Sequence, residues 1–274
     1  MNILIGADPE LFVKQAGEFV SAHNMVEGTK EEPFKVEGGA VQVDGMALEF
    51  NIDPAASEAE FLGNIKVVMS QLEDMVGGYE VVAESTAHFG HELIAEQPME
   101  ARDLGCDPDY NAYTGEENPQ PDGDKPFRTA AGHIHIGWTE GEDIHDEAHL
   151  LTCRTLVQAL DITLGIPSLV WDKDNERREL YGKAGAFRPK SYGVEYRVLS
   201  NAWLKDERLM SFVYQRVVDT FNNLVESNGV LPLYSAFDSG GAVRFINKGI
   251  GIELLESIVY QHGDAQLLGV CREI

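Results

Sequence analysis

Two histidines stand two residues apart in a segment that alternates polar and apolar side chains, Gly132-His133-Ile134-His135-Ile136-Gly137. Successive side chains of a β-strand point to opposite faces, so this pattern predicts a strand with both imidazoles on one face and both isoleucines on the other. The isoleucines can enter a core while the histidines face a cavity or groove. Taken alone, the pattern fits a zinc site and a half-solvated strand equally well.

Three further predicted strands carry two polar side chains on one face: Asp8 with Glu10, Glu49 with Asn51, and Glu195 with Arg197. Four carboxylates with two imidazoles form an oxygen-rich ligand set of the kind that binds Mg²⁺ or Mn²⁺. Clustered carboxylates without cations would repel each other and raise one another's pKa. If these strands are neighbours, the sequence therefore predicts a metal cluster.

A basic stretch, residues 177–190, contains five Lys or Arg side chains in an otherwise acidic protein. Its glycines, Gly182 and Gly185, allow a ligand to come close to the backbone. Such a stretch either binds phosphate groups or forms a basic helix end and turn. The long polar segment 100–127 leads into the histidine strand, and its length favours a functional role.

Hydrophobic periodicity predicts the elements that hold these residues. Residues 10–22 and the segments on either side of Asp44-Gly45 indicate hairpins, and Ser57 with Glu60 indicates a capped helix that ends near Gly77. Helical patterns extend from Asp143 to Leu164 and from Asp206 to Val225, and two short helices are predicted in the last fifty residues. We predict one α+β domain over residues 1–274, with a mainly antiparallel sheet flanked by helices.

Charge excludes some classes of protein. Asp and Glu number 46 against 21 Lys and Arg, a formal charge of −25, which argues against nonspecific binding to nucleic acid or to an anionic membrane. The three cysteines are odd in number and widely spaced, which fits a reducing compartment. With no secretory signal and no long apolar run, the sequence predicts a cytoplasmic protein.

Together these segments resemble the phage-type COOH-NH2 ligases (amidoligases) of type 2, in the glutamine synthetase and γ-glutamylcysteine synthetase superfamily. The resemblance is carried by residues 6–10, 49–51, 132–137, 177–188 and 195–197, and it extends to about Trp203. It implies a curved antiparallel sheet flanked by helices, whose concave face holds ATP and two or three Mg²⁺ ions, with Mn²⁺ as an alternative. If the protein is phage-encoded, it also implies the cytoplasm of the host.

The resemblance also implies roles for individual residues. Asp8 and Glu10 match two metal ligands of the first strand, where Asp8 has a shorter reach than the glutamate of the family motif. Metal ligation is further implied for Glu49, Glu195 and one of the two histidines. We assign the metal to His133 and leave His135 for phosphate or substrate. Arg197 would act on the transferred phosphoryl group, so that the catalytic set comprises Arg197, Glu195 and His135. The remaining ATP-phosphate contacts would come from Arg178, Lys183 and Arg188.

The implied reaction joins a carboxylate to an amine through an acyl phosphate, and Asp107 or Asp109 in the long loop is a candidate acid near the amine. The substrates would be small molecules, polyamines or peptides; the oligomeric state is not given by the sequence. The chief alternative to this ligase function is a zinc hydrolase that uses His133 and His135. A cupin-like binder would need a third histidine on a later strand, and a non-catalytic phage protein would leave four polar strands without a purpose.

Overall fold

The computed structural model describes residues 3–102, 104, 108–227 and 239–249. Its strands are β1 (Leu4–Gln15), β2 (Glu18–Val20), β3 (Phe34–Val36), β4 (Gly39–Asp44), β5 (Ala47–Ile52), β6 (Glu80–Val82), β7 (Thr86–His88), β8 (Tyr110–Asn111), β9 (Phe127–Thr129), β10 (Gly132–Gly137), β11 (Ala186–Lys190) and β12 (Gly193–Tyr196). Its α-helices are α1 (Glu58–Met75), α2 (Gly90–Glu96), α3 (Met99–Arg102), α4 (Glu147–Leu160), α5 (Ile166–Ser168), α6 (Arg177–Leu180), α7 (Glu207–Glu226) and α8 (Ser239–Lys248).

One large antiparallel sheet organises these elements. Its strand order is β3-β4-β5-β1-β10-β12-β11-β8, and the short strands β2 and β6 pair with the second half of β1. Strands β7 and β9 form a separate two-stranded sheet. The predicted fold class, α+β with a mainly antiparallel sheet flanked by helices, is confirmed.

Most apolar side chains of the sheet bury in one core on one face, whereas Phe12 and Ala47 belong to a second, smaller core. Ile5, Phe50, Ile134 and Tyr196 are almost wholly buried, and they belong to one core with side chains of α1, α4 and α7. Helix α1 packs on β4 and β5, and α4 packs on β11 and β12. Because side chains alternate along each strand, this packing leaves the polar residues of the same strands on the opposite face.

Local signals in the sequence set most of the boundaries. The hydroxyl of Ser57 accepts a hydrogen bond from the Glu60 N–H at 3.3 Å, so α1 begins at the predicted capping box. The predicted hairpin β4–β5 is present, and its turn is Gly45-Met46, one residue later than the predicted Asp44-Gly45, because Asp44 still pairs with Ala47. Helix α4 begins later than the predicted Asp143, because Asp146 caps it by accepting from the His149 N–H at 2.9 Å. It continues through a π-helical turn, Asp161–Gly165.

Gly132 sits where two segments approach too closely for any side chain. A Cβ at this position would lie 2.3 Å from Trp203 Nε1 and 2.4 Å from the Ser200 carbonyl oxygen. The indole N–H of Trp203 in turn donates to the Gly132 carbonyl at 3.1 Å. The start of the histidine strand is therefore fixed against a buried tryptophan.

Helix α8 accounts for one of the two helices predicted near the C-terminus, and the other falls outside the described residues. Within the described part of the chain, none of the helices has both the length and the apolar character needed to cross a bilayer.

Candidate active site

Strand register brings the predicted polar pairs together on one face of the sheet. Asp8 of β1 lies opposite His133 of β10, and His135 lies opposite Glu195 of β12. Glu195 lies in turn opposite Arg188 of β11. Residues distant in sequence thus form a continuous polar strip across the centre of the sheet.

Glu195 is the most buried member of this strip, 1% exposed. Its carboxylate accepts hydrogen bonds from the Arg197 and Arg188 guanidinium groups, the latter at 3.3 Å, and lies 2.9 Å from Lys190 Nζ. Burial would raise the pKa of Glu195, but the charges of Arg197, His135, His133 and Lys190 outweigh it and hold this pKa well below its usual range. Glu195 is therefore an anion held among cations.

His135 belongs to the same network. Its Nε2 lies 3.0 Å from Asp8 Oδ2, and its Nδ1 shares a hydrogen bond of 2.5 Å with the hydroxyl of Tyr192. Burial would lower the pKa of His135, but the carboxylate of Asp8 more than compensates and raises it. The ring is thus fixed on both sides, by an anion and by a tyrosine.

The donor set suits a divalent cation. Asp8, His135 and Glu195 each offer one ligand atom, and these atoms lie within 4.8 Å of one another. Asp8 Oδ1 is buried and has no hydrogen-bond partner among the described residues, although a buried carboxylate oxygen normally has one. Two carboxylates and one imidazole form an oxygen-rich set that fits Mg²⁺ or Mn²⁺.

His133 lies beside this group but has a cationic neighbour. Its Nδ1 is 3.4 Å from Arg197 Nη1 and 3.4 Å from Glu195 Oε1. Burial, reinforced by Arg197, holds the pKa of His133 well below its usual value. The guanidinium would compete with a metal ion at Nδ1, so the geometry favours His135 as the nitrogen ligand. Our assignment of the metal to His133 has less support from this arrangement.

Glu10 and Glu49 form a second carboxylate pair, opposite each other on β1 and β5. Glu10 accepts from the Ala131 N–H at 2.8 Å, and Glu49 accepts from the Gln42 side-chain amide at 2.6 Å. Burial and the nearby Asp44 raise the pKa of Glu10 to about 7, and burial with Asp8 raises that of Glu49. Like charges are thus concentrated here, beside the group that contains Asp8.

The basic stretch divides into structural and site-facing parts. Arg177 is fully buried and donates to the carbonyls of Ala130, Val198 and Leu199. Arg178 is also buried and pairs with Asp172 at 3.2 Å, so the structure does not bring it to the polar strip. These two arginines tie the chain together, and the phosphate contact predicted for Arg178 has no support from this geometry.

The later cations of the stretch lie closer to the site. Arg188 reaches Glu195, as described above, whereas Lys183 lines a separate cavity together with Asp109 and Glu117. Gly185, which precedes β11, has φ +77°, and a Cβ there would lie 2.7 Å from the ring of Tyr113. The glycine thus serves close packing of this loop rather than ligand approach.

Two residues that contact the polar strip, Lys190 and Tyr192, are not among the site residues predicted from the sequence. Lys190 lies two residues after Arg188 on the same strand, so strand alternation would have identified it. Tyr192 lies in the turn between β11 and β12 and carries no recognisable signal. Of the two loop aspartates predicted near the amine, Asp109 accepts from Arg197 Nε at 3.2 Å, and Asp107 lies outside the described residues.

A cavity of about 570 Å³ opens beside His135. Its lining is mainly apolar and includes Trp138 and Tyr192, with Gly6 and Asn51 from the neighbouring strands. This volume lies within the usual range for small-molecule sites, which are mostly apolar with a few fixed polar groups. The polar strip therefore adjoins a pocket able to hold an aromatic ring system.

Comparison with known proteins agrees with the sequence motifs. Residues 122–228 match the family model described as phage phiEco32-like COOH.NH2 ligase-type 2. This range contains His133, His135, Glu195 and Arg197 and confirms the resemblance to these ligases. No curated protein matches the chain.

Proposed function

Because residues 122–228 match the type 2 COOH-NH2 ligases, we propose that this protein is an ATP- and Mg²⁺-dependent carboxylate–amine ligase that forms an amide or isopeptide bond. One observation carries the proposal beyond the family match. A possible metal-ligand group, Asp8, His135 and Glu195, lies on the same sheet face as three cations, Arg188, Lys190 and Arg197. A site that binds a nucleoside triphosphate requires metal ligands beside several cationic side chains.

Asp8, His135 and Glu195 would hold the first Mg²⁺ or Mn²⁺ ion, and Glu10 with Glu49 remains the predicted ligand pair for another. When bound, the metal would neutralise charge on the phosphate oxygens. The hydrogen bond from Tyr192 would orient the His135 ring, as partners of metal-bound histidines commonly do. Arg197 is held by its contacts with Glu195 and Asp109, and it would contact the transferred phosphoryl group.

The apolar cavity beside His135 supports a nucleotide as the ligand. Trp138 and Tyr192 offer aromatic surfaces for a base, and Gly6 leaves the floor of the cavity without a side chain. A nucleoside in this cavity would direct its phosphates past His135 towards Arg188 and Lys190 on β11, which lies beyond β12. Lys183 lines a different cavity, so its assignment to the phosphates stays a prediction.

The proposed reaction has two bond exchanges. A carboxylate oxygen of the substrate bonds to the γ-phosphorus while the bond from that phosphorus to the β–γ bridging oxygen breaks, which releases ADP. The amine nitrogen then bonds to the acyl carbon while the carbon–oxygen bond to phosphate breaks, and the amine loses a proton. Arg197 would stabilise the charge that builds on the equatorial oxygens. Asp109, bonded to Arg197, is a candidate acceptor of the amine proton.

The rival function, a zinc hydrolase, receives less support from the geometry. Among the described residues, the group of possible metal ligands contains His135 with two carboxylates, whereas zinc sites are rich in histidine or cysteine. The nearby cations would also have no role in simple amide hydrolysis.

The test is phosphate release from ATP by the full chain, with Mg²⁺ and a mixture of amino acids and polyamines. We expect release to require Mg²⁺ and to fall at least about 100-fold in Glu195→Gln, since Glu195 links the metal group to Arg197. Lys125→Gln, which removes an exposed cation paired with Glu179, is the matched control and should leave release unchanged. Absence of ATP binding, or full activity in Glu195→Gln, would contradict the proposal, as would amide hydrolysis without nucleotide.

A further inference from the structure

Lys190 contacts the most buried carboxylate of the polar strip. Its Nζ lies 2.9 Å from Glu195 Oε2, and its side chain is 28% exposed whereas that of Glu195 is 1% exposed. Within the described part of the chain, Glu195 is the one ion-pair partner of Lys190. A partly exposed ammonium thus pairs with a buried anion.

Both carboxylate oxygens of Glu195 contact cations. Arg197 donates to Oε1, whereas Lys190 and Arg188 share Oε2, with Arg188 Nη1 at 3.3 Å. Glu195 also belongs to the group of possible metal ligands described above. A divalent ion that binds Glu195 must therefore displace one of these cations or share an oxygen with it.

Of the three cations, Lys190 is the one that can leave most easily. The side chain of Arg197 is 7% exposed, and its Nε also donates to Asp109 at 3.2 Å, so this guanidinium is held at two places. The side chain of Arg188 is 18% exposed, which is less than that of Lys190. Lysine also carries its charge as a compact ammonium at the end of a flexible four-carbon stem.

The backbone of Lys190 is fixed by contacts that its side chain does not make. Lys190 is the last residue of β11 and lies opposite Gly193 of β12. Its carbonyl accepts a hydrogen bond from His149 Nε2 at 2.9 Å, which ties it to α4. Because side chains alternate along a strand, Lys190 shares the face of Arg188. Rotation of the lysine stem can therefore move the charge over the polar strip while the strand stays in place.

Charge favours this movement when a nucleotide binds together with a metal ion. A divalent ion held by Asp8, His135 and Glu195 would lie beside the ammonium of Lys190, and two cations at such close range repel each other. The phosphate groups of a nucleotide carry negative charge on several oxygens, and an ammonium donates strong hydrogen bonds to such oxygens. A phosphate oxygen is therefore a better partner for Lys190 than a carboxylate that already binds metal.

We propose that Lys190 is an exchangeable partner of Glu195: it pairs with this carboxylate until a divalent ion binds there, and it then moves to a phosphate oxygen of the nucleotide. The inference rests on the proposed ligase function, since it requires a metal ion and a nucleotide at the polar strip. It adds a coupling between these two ligands that one side chain carries. By linkage, each ligand should bind more tightly in the presence of the other.

Metal affinity provides the first test. Without nucleotide, Lys190→Gln should strengthen the binding of Mn²⁺ to the full chain about threefold or more, because it removes a cation that competes for Glu195. Arg188 and Arg197 still contact Glu195 in this variant, so the buried anion keeps cationic partners. Electron paramagnetic resonance of free Mn²⁺ measures the affinity.

Nucleotide affinity provides the second test. In saturating Mg²⁺, Lys190→Gln should weaken the binding of β,γ-methylene-ATP at least about fivefold, because it removes a charge-assisted hydrogen bond to phosphate. Calorimetric titration of the full chain measures this affinity, and the methylene analogue excludes turnover. A gain in metal affinity and a loss in nucleotide affinity cannot both arise from damage to the fold.

Lys66→Gln is the matched control for the loss of one positive charge. Lys66 lies on α1, which packs on the apolar face of the sheet, and its Nζ forms an exposed ion pair with Glu207 at 2.7 Å. The control removes a paired lysine far from the polar strip, so both affinities should stay unchanged.

Unchanged or weaker Mn²⁺ binding in Lys190→Gln would overturn the proposal, because Lys190 would then not compete with the metal ion. Unchanged or stronger nucleotide binding would also overturn it, as would equal changes in Lys66→Gln. The two proposals can fail separately. Loss of phosphate release in Glu195→Gln, with neither affinity altered in Lys190→Gln, would leave the ligase function standing and give Lys190 a purely structural role. Absence of nucleotide binding by the wild-type chain would contradict both proposals.

Discussion

At the scale of single residues, neighbouring charges decide what each side chain of the strip can do. His133 and His135 share one face of one strand and both lie near Asp8, but the Nδ1 of His133 that lies 3.6 Å from Asp8 also contacts Arg197, whereas Nε2 of His135 lies 3.0 Å from Asp8. A guanidinium near an imidazole nitrogen opposes a metal ion there, whereas a carboxylate favours one. Two residues that look alike in the sequence therefore have different chemistry.

This difference predicts unequal effects on metal binding. His135→Asn should weaken Mn²⁺ binding at least about tenfold, because it removes a proposed ligand, whereas His133→Asn should weaken it less than about threefold. Electron paramagnetic resonance of free Mn²⁺ in titrations of the full chain measures both affinities. Near-UV circular dichroism of the two variants is the control for folding. The reverse order of effects would assign the metal to His133 instead.

At the scale of elements, strand β1 is central because it pairs with β5 on one side and β10 on the other. The two groups of carboxylates on the sheet, Asp8 with Glu195 and Glu10 with Glu49, therefore each include a residue of β1. The position of β10 depends in turn on close packing at its first residue, Gly132, against Trp203.

Gly132→Ala should therefore destabilise the protein by about 1–3 kcal/mol or more, since neither the indole nor the Ser200 carbonyl can move away freely. The matched control is Gly63→Ala within α1, where a Cβ meets no atom within 4 Å. This control should stabilise the helix by up to about 1 kcal/mol. Urea unfolding followed by circular dichroism measures both changes, and a neutral result for Gly132→Ala would contradict the packing argument.

At the scale of the whole molecule, the buried carboxylate of Asp161 joins four segments of the chain. Asp161 accepts hydrogen bonds from the hydroxyls of Tyr113 and Tyr196 and from the Gly185 N–H, at 2.7–2.9 Å. Burial nevertheless raises the pKa of Asp161 to about 7. The π-helical turn, the long loop, the basic stretch and β12 thus meet at a group that is costly to ionise.

Stability should consequently fall as pH rises. A raised pKa in the folded state means that the folded protein binds the proton more tightly than the unfolded chain does. The stabilisation is complete below the unfolded value of about 4 and is lost as pH rises through about 7, on the order of 4 kcal/mol in all. Unfolding free energies at pH 5 and pH 8 should differ by roughly 3 kcal/mol of this loss, and Asp161→Asn should reduce the difference. An unchanged difference in the variant would assign the pH dependence to other groups, including Glu10.

The sequence alone determined strands β1, β4, β5, β10 and β12 and which of their faces carry polar groups, because alternation, turn residues and helix caps are local properties. It therefore predicted the sheet, the helices and the membership of Asp8, Glu195 and Arg197 in the polar pairs. It did not predict β11, which lies in the basic stretch. Only the tertiary structure decided that β1, β10 and β12 are neighbours, since pairing between strands that lie far apart in the sequence, such as Asp8 with His133 and His135 with Glu195, leaves no local pattern. Long-range contacts also buried Arg177 against the carbonyls of Ala130, Val198 and Leu199, and they separated the roles of two histidines on one strand.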